Sequence, residues 1–224
     1  MKHSGSRFAL GAMTTLAAVP FAEAQQDQTW AGAFVSGAPS KESPLLVWFD
    51  GHARFRDGAE ELDVSILRPG VGWRVNGQLD VYIGYASVTQ HRDTGDIEED
   101  RIWQQLVYPI ADIAGGKLTG RTRLEQRFRD TGGDTGWRLR QFLRYGRPID
   151  GTSFGVVAST EVFVGLNETD WGQADGFDQN RLFLGASWQI TPQLRLEGGY
   201  LNQHINGPTD TTRDNLAFNL FAVL

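Results

Sequence analysis

Residues 118–129 read LTGRTRLEQRFR, and residues 137–145 read WRLRQFLRY. On an extended chain the first stretch puts Leu118, Gly120, Thr122, Leu124, Gln126 and Phe128 on one face. Thr119, Arg121, Arg123, Glu125, Arg127 and Arg129 take the other. The second stretch divides the same way, with Trp137, Leu139, Gln141, Leu143 and Tyr145 against Arg138, Arg140, Phe142 and Arg144. A period of two over this length is a β-strand signal. It recurs at Leu182, Leu184, Ala186, Trp188 and Ile190 against Arg181 and Phe183, and at Leu194, Leu196, Gly198 and Tyr200 against Arg195 and Glu197. Residues 28–36, 45–56, 62–75, 79–90, 100–110, 153–165 and 213–224 supply further strand candidates, and no amphipathic helix competes with them.

Alternation does not say which face is inside, because a soluble β-barrel or sandwich would show it too. Three features choose. Beyond the first residues the only lysines are Lys41 and Lys117, although arginines abound. Arginine suits a confined interior, where its planar fork pairs carboxylates bidentately. Turn signals at Asn76-Gly77, Asp150-Gly151 and 191–193 are short, whereas the polar stretches 91–99, 130–136, 165–178 and 206–213 are long. Short turns at one end and long loops at the other describe an outer-membrane barrel. The last strand carries Leu216, Phe218, Leu220, Ala222 and Leu224 on one face, where barrels bear an apolar assembly strand. Each arginine turned toward lipid at mid-membrane would cost about 2–4 kcal/mol. Arg121, Arg123, Arg127, Arg138, Arg140, Arg144, Arg181 and Arg195 are therefore assigned to the lumen, with Glu125, Glu161 and Glu197 as partners in a cross-strand charge network. Asp80 and Asp100 are candidates for balancing the cationic excess.

The expected fold is all-β: an antiparallel up-and-down transmembrane β-barrel of about ten strands, or twelve, because such barrels close with even numbers. Residues 28–36 stand outside a ten-strand count, as a plug, a periplasmic strand or half of a further hairpin. Pro69-Gly70 interrupts one candidate strand and marks a bulge there, since proline cannot donate to the ladder.

The N-terminus reads as an export signal. Lys2, His3 and Arg7 precede an apolar run to Phe21, and Ala22-Glu23-Ala24 supplies small residues around a cleavage site. Residues 1–24 are read as a cleaved signal peptide and 25–224 as the barrel. The run is too short for a membrane-spanning helix. The chain has no cysteine, which excludes disulfides, thiol nucleophiles and Cys-ligated metal centres. With 21 Lys+Arg against 27 Asp+Glu, its net charge of -6 argues against nucleic acid as a partner.

The runs Arg101-Ile102-Trp103-Gln104-Gln105, Leu124-Glu125-Gln126-Arg127-Phe128 and Trp137-Arg138-Leu139-Arg140 resemble a bacterial family of barrel proteins, domain of unknown function 2490. Glu161-Val162-Phe163, Gln179-Asn180-Arg181 and Gly199-Tyr200 continue the resemblance in order. It implies an outer-membrane barrel and no particular activity.

Sequence signals for chemistry are sparse. His91 and His204 fall at expected outer strand ends, with Asp93, Asp96, Glu98, Asp210 and Asp214 nearby. A His–carboxylate pair there could activate water or a serine. Residues 167–171, Asn-Glu-Thr-Asp-Trp, with Asp175 and Asp178, offer oxygen ligands without the spacing of a Ca²⁺ loop. No nucleotide-binding glycine loop occurs. The expectation is a non-catalytic barrel in the bacterial outer membrane, structural or binding through its outer loops, with no metal or cofactor. Its expected partners are outer-membrane lipid, lipopolysaccharide and the barrel assembly machinery, and its ligand is unassigned. A narrow channel for small anionic solutes is the alternative, and a rim hydrolase using His91 or His204 is a third reading.

Overall fold

The computed structural model describes residues 26–40, 42–56, 59–207 and 210–224. The proposed leader lies outside the described residues. Eleven strands follow one another along the chain: β1 Gln26–Gly37, β2 Leu45–Arg56, β3 Glu61–Asn76, β4 Leu79–Gln90, β5 Ile97–Ile113 and β6 Gly116–Arg129. They continue with β7 Thr135–Pro148, β8 Phe154–Gly165, β9 Gly176–Gln189, β10 Leu194–Ile205 and β11 Thr211–Val223. Each pairs antiparallel with the next, and β1 closes the ring by pairing with β11. The fold is thus an all-β closed barrel, with strand number eleven.

The seam explains the odd number. An even count is required only where first and last strands run in opposite directions. Here β1 and β11 are parallel, with Trp30 beside Ala217 and Phe34 beside Phe221. The Phe34 and Phe221 rings stack with centroids 4.6 Å apart. Residues 28–36 are therefore wall, not plug.

Connections divide by end. One rim, the turn rim, carries residues 38–44, 77–78, 114–115, 149–153 and 190–193. At 114–115 both Ala114 and Gly115 have positive φ (48° and 78°), the pattern of the two-residue turn whose twist matches paired strands. The opposite rim, the loop rim, carries residues 57–60, 91–96, 130–134, 166–175 and 206–210. The longest connection is here, although 38–44 gives the turn rim one long crossing as well.

The distribution of side chains is the inverse of a soluble core. Leu67, Val71, Trp73, Ile83, Leu184 and Phe154 are among many large apolar residues at least half exposed on the outside. Inside, Asp50, Arg123 and Glu125 have no exposed surface. Monomeric soluble proteins rarely expose apolar patches beyond a few hundred Å²; here apolar side chains project from strands all round the wall.

Pro69 makes no bulge. Leu67 pairs with Ser87 and Gly70 with Gly84, so the register runs unbroken past the proline. The irregularities of β3 lie elsewhere, beside Arg54/Phe55 of β2 and between Arg74 and Asn76. The reason is a substitute donor. The carbonyl of Tyr85, opposite Pro69 in this register, accepts a hydrogen bond from Trp103 Nε1 at 3.0 Å. Trp103 can lie flat there because Gly70 and Gly84 face it without side chains; a Cβ at either would overlap the indole ring.

Candidate functional site

The interior is organised around five carboxylates from five strands. Glu125 of β6 accepts hydrogen bonds from Arg138 at 2.7 Å and Arg140 at 2.6 Å, both on β7. Arg101 and Arg123 approach it at 3.7 and 3.9 Å. Glu161 of β8 accepts from Arg140 at 2.8 Å and Arg121 at 2.9 Å. Glu197 of β10 takes Arg195 at 2.8 Å and Arg144, which reaches it across the interior from β7. Glu99 of β5 binds Arg101 at 2.6 Å and Arg127 at 2.7 Å. Asp50 of β2 accepts from Arg68 at 2.6 Å, Trp48 Nε1 at 2.6 Å and His52 at 2.9 Å. Arg123 of β6 comes within 3.8 Å of Asp50, bridging strands that are not wall neighbours. Such buried groups hold together only if each charge has a partner, because taking a guanidinium or carboxylate out of water costs several kcal/mol.

Of the residues read from sequence, Glu125, Arg123, Arg138 and Arg140 meet in one cluster, Glu161 joins Arg121 and Arg140, and Glu197 joins Arg144 and Arg195. Arg127 goes instead to Glu99. Arg181 has no carboxylate partner among the described residues; it donates to Gln179 at 3.1 Å. Its guanidinium faces the Phe163 ring at 4.5 Å and the Trp30 ring at 4.9 Å. Arg54 of β2 also stacks on Trp30, at 3.9 Å, and no hydrogen bond or ion pair engages it among the described residues.

Sequence reasoning missed Asp50, Arg54, Arg68, Glu99 and Arg101. The signal was present for β2, where Leu46, Trp48, Asp50, His52 and Arg54 alternate, and for β5 in Glu99, Arg101, Trp103 and Gln105. The assignment of Asp80 and Asp100 as lumen counter-ions is corrected. Asp80 pairs with Arg74 at 2.8 Å near the turn rim, and Asp100 accepts from the Tyr85 hydroxyl, a residue exposed on the outer wall.

A cavity of about 600 Å³ remains inside the barrel, with Arg121, Arg138, Arg140 and Glu161 of the braced region in its lining. Its lining reaches from Ser36 and Glu197 toward the turn rim to Gln28 and Arg213 toward the loop rim, and it includes Arg54 and Arg181.

At the loop rim, residues 166–175 fold back on the β6–β7 connection. The Asp170 carboxylate accepts from the Gly133 amide at 2.8 Å and the Asp134 amide at 3.2 Å. Those two amides hold its carboxyl below the ordinary aspartate range. Trp171 donates to the Asp134 carbonyl at 2.8 Å, and Arg127 and Arg129 each lie 5.0 Å from its ring. The Asn167 amide donates to the Thr135 carbonyl at 3.0 Å, and its side-chain oxygen accepts from the Trp137 amide. These polar atoms tie two loops together.

The rim histidines differ from one another. His204 contacts Thr212 Oγ1 at 3.3 Å and stacks on Phe177, with no carboxylate partner among the described residues. Among the acids nearby, Asp214 accepts from Tyr200 and Asn202, and Asp93 pairs with Arg56. His91 contacts Asp96 through Nδ1 at 3.1 Å and the Ser65 hydroxyl through Nε2 at 3.2 Å.

Comparison with known proteins now adds a family. A model described as "Protein of unknown function (DUF2490)" matches residues 27–214, nearly all of the described barrel. The chain belongs to the DUF2490 family. A relative, an uncharacterised protein of Methylorubrum extorquens, is 40% identical over 183 residues, covering 80% of this chain and 78% of the relative. The family match begins in β1 and ends at residue 214, early in β11, so it takes in the arginine strands and the β1 edge of the seam.

Proposed function

We propose that this DUF2490 protein is a bacterial outer-membrane barrel, exported by a leader cleaved near Ala24 and inserted with its apolar exterior in lipid. The supporting observation is the inversion of the wall: guanidinium–carboxylate clusters inside, leucine and aromatic side chains outside. In water that exterior would be an aggregation hazard; in a bilayer it is the favourable surface. In this reading the turn rim faces the periplasm and the loop rim the outside, with lipid, lipopolysaccharide and the assembly machinery as partners. The ion-pair clusters brace the wall from within, tying β2 to β6 and β7 to β10. The test is fractionation of cell envelopes together with gel mobility before and after boiling. We expect outer-membrane recovery and faster migration of the unboiled protein; recovery in the soluble periplasm with a single mobility defeats the reading.

One observation supports a second role, conduction of small anions. The cavity is lined toward both rims, and Arg54 and Arg181 within it carry charges that, among the described residues, no carboxylate neutralises at contact distance. Reconstituted in planar bilayers, the protein should give small current steps whose reversal potential in a salt gradient reports anion preference. A silent bilayer removes the conduit and leaves the braced wall.

A further inference from the structure

Near the loop rim, Ser65, His91 and Asp96 are joined in series by side-chain contacts. Ser65 is the fifth residue of β3, and its side chain lies on the same outward face as Leu67. The ladder pairs Ser65 with Thr89, and His91 follows two residues later as β4 gives way to its loop. The His91 amide donates to the Asp63 carbonyl at 2.8 Å, which fixes the start of this loop against β3. The imidazole then spans the two other side chains, with Ser65 Oγ 3.2 Å from Nε2 and Asp96 Oδ2 3.1 Å from Nδ1. With Nδ1–H donating its hydrogen bond to the Asp96 carboxylate, Nε2 is free to accept the serine proton. This is nucleophile, base and orienting acid in series, recognised by geometry and role.

A second observation says what could be brought to the serine. Directly against Ser65 the outer wall is hollowed into a concavity of about 610 Å³. Small residues on neighbouring strands, Ala31 and Ala33 of β1, Gly51 and Ala53 of β2, and Ser87 of β4, line it together with the apolar Phe49, Leu67 and Leu220. Thr89 lines the same hollow, and its hydroxyl is unclaimed among the described residues. Opposite Ser65 in the ladder, it is placed to donate to an oxyanion formed at that serine.

We propose that Ser65, His91 and Asp96 form a hydrolytic site on the outward face, acting on an acyl ester whose hydrocarbon chain lies in the adjoining hollow. Ser65 Oγ attacks the ester carbonyl while His91 Nε2 takes the hydroxyl proton. The tetrahedral adduct collapses, the carbon–oxygen bond to the alcohol breaks, and His91 returns the proton to the departing alcohol. Water, deprotonated by His91, then cleaves the acyl-serine, giving the carboxylic acid and free Ser65. Asp96 is a positioning residue that holds the imidazole in the required tautomer. His91 and Asp96 are 30% and 49% exposed, so water reaches the site from the rim. The lipid identity of the ester rests on the outward face meeting a bilayer; the chemistry of Ser65 does not.

The test uses the full chain, folded in nonionic detergent, so location is not at issue. A fluorophosphonate should add covalently to Ser65, expelling fluoride, and peptide mass mapping should place the adduct there. The protein should cleave p-nitrophenyl octanoate, with Ser65→Ala and His91→Gln lowering kcat/KM by about 10³-fold or more. Asp96→Asn should lower kcat with little change in KM, and Asp96→Glu should restore most of it. Ala33→Leu, which adds only an apolar side chain to the outside, should slow cleavage of the octanoate ester about tenfold while sparing the acetate ester. Phosphatidylethanolamine vesicles should then release fatty acid on insertion of the wild type and not of Ser65→Ala. Each variant is checked for its folded gel mobility. A folded protein whose Ser65 stays unlabelled, or whose ester cleavage survives Ser65→Ala, overturns the proposal and leaves the three residues as a tie between loop and strand. Labelling and cleavage that persist when the protein fractionates away from the outer membrane would keep the site and defeat the membrane reading alone.

Discussion

The two sides of the lumen use the same residue type in opposite ways. From β5 to β8, Arg101, Arg121, Arg127, Arg138 and Arg140 each meet at least one carboxylate within 3.0 Å. Near the seam, among the described residues, Arg54 and Arg181 meet the π-surfaces of Trp30 and Phe163 and the amide of Gln179 rather than a carboxylate. Both groups line the same cavity; the first joins strands through shared carboxylates, and the second presents guanidinium groups to it against aromatic faces. Composition alone cannot distinguish them, because the difference lies in whether the facing strand offers a carboxylate at the same height.

The largest effect should come from breaking the braced side. Glu125→Gln removes the charge shared by Arg138 and Arg140, leaving Arg138 with Asp178 and Arg140 with Glu161 as remaining counter-charges, so it should cost about 3–5 kcal/mol. Urea-induced unfolding in lipid or detergent reads this directly. Arg181→Gln should cost far less, about 0.5–2 kcal/mol, since only ring contacts and one amide bond are lost. Equal losses for the two variants would erase the distinction between the sides. Gly84→Ala lies between them. A methyl there meets the Trp103 ring, and displacing the indole frees the Tyr85 carbonyl, for a cost of about 1–3 kcal/mol in the same assay.

On the open side the sharper measurement is electrical. If the protein conducts, Arg54→Gln with Arg181→Gln should move the reversal potential toward cation preference, whereas Arg74→Gln, paired with Asp80 near the turn rim, should not.

The smallest effect concerns the loop lid. Asp170 has a depressed folded-state pKa, so its contribution to loop order is present above the ordinary aspartate range and is lost as pH falls through the lower folded value. Protease nicking of residues 166–175 should therefore increase only in strong acid, and Asp170→Asn should show that susceptibility at neutral pH. A loop equally resistant in both proteins would show that Trp171, Asn167 and Gln173 hold it without Asp170.

Much of this architecture was legible because a barrel wall is a local object. Alternation in residues 118–129 named the inward side of β6 without any tertiary information, and the Asn76-Gly77 and Asp150-Gly151 signals placed turns correctly. Strand closure was not legible, since residues 28–36 alternate like any other strand and nothing local reports that β1 runs parallel to β11. Pro69 misled for a similar reason: its missing hydrogen is made good by Trp103, a residue of another strand. The same limit applied at the rim. His91 with Asp96 is a local pairing visible in sequence, but Ser65 is 26 residues away and reaches His91 only through the β3–β4 ladder.

The parallel seam has a consequence for biogenesis. Its two edges are the first and last strands to be synthesised, so every hairpin between them can form from near neighbours while this one junction waits for both chain ends. Contacts of such sequence separation are the slowest to form, and parallel pairing is slightly weaker per residue than antiparallel. The cylinder should therefore zip shut at Phe34 and Phe221 last, and any sideways opening should begin along that line.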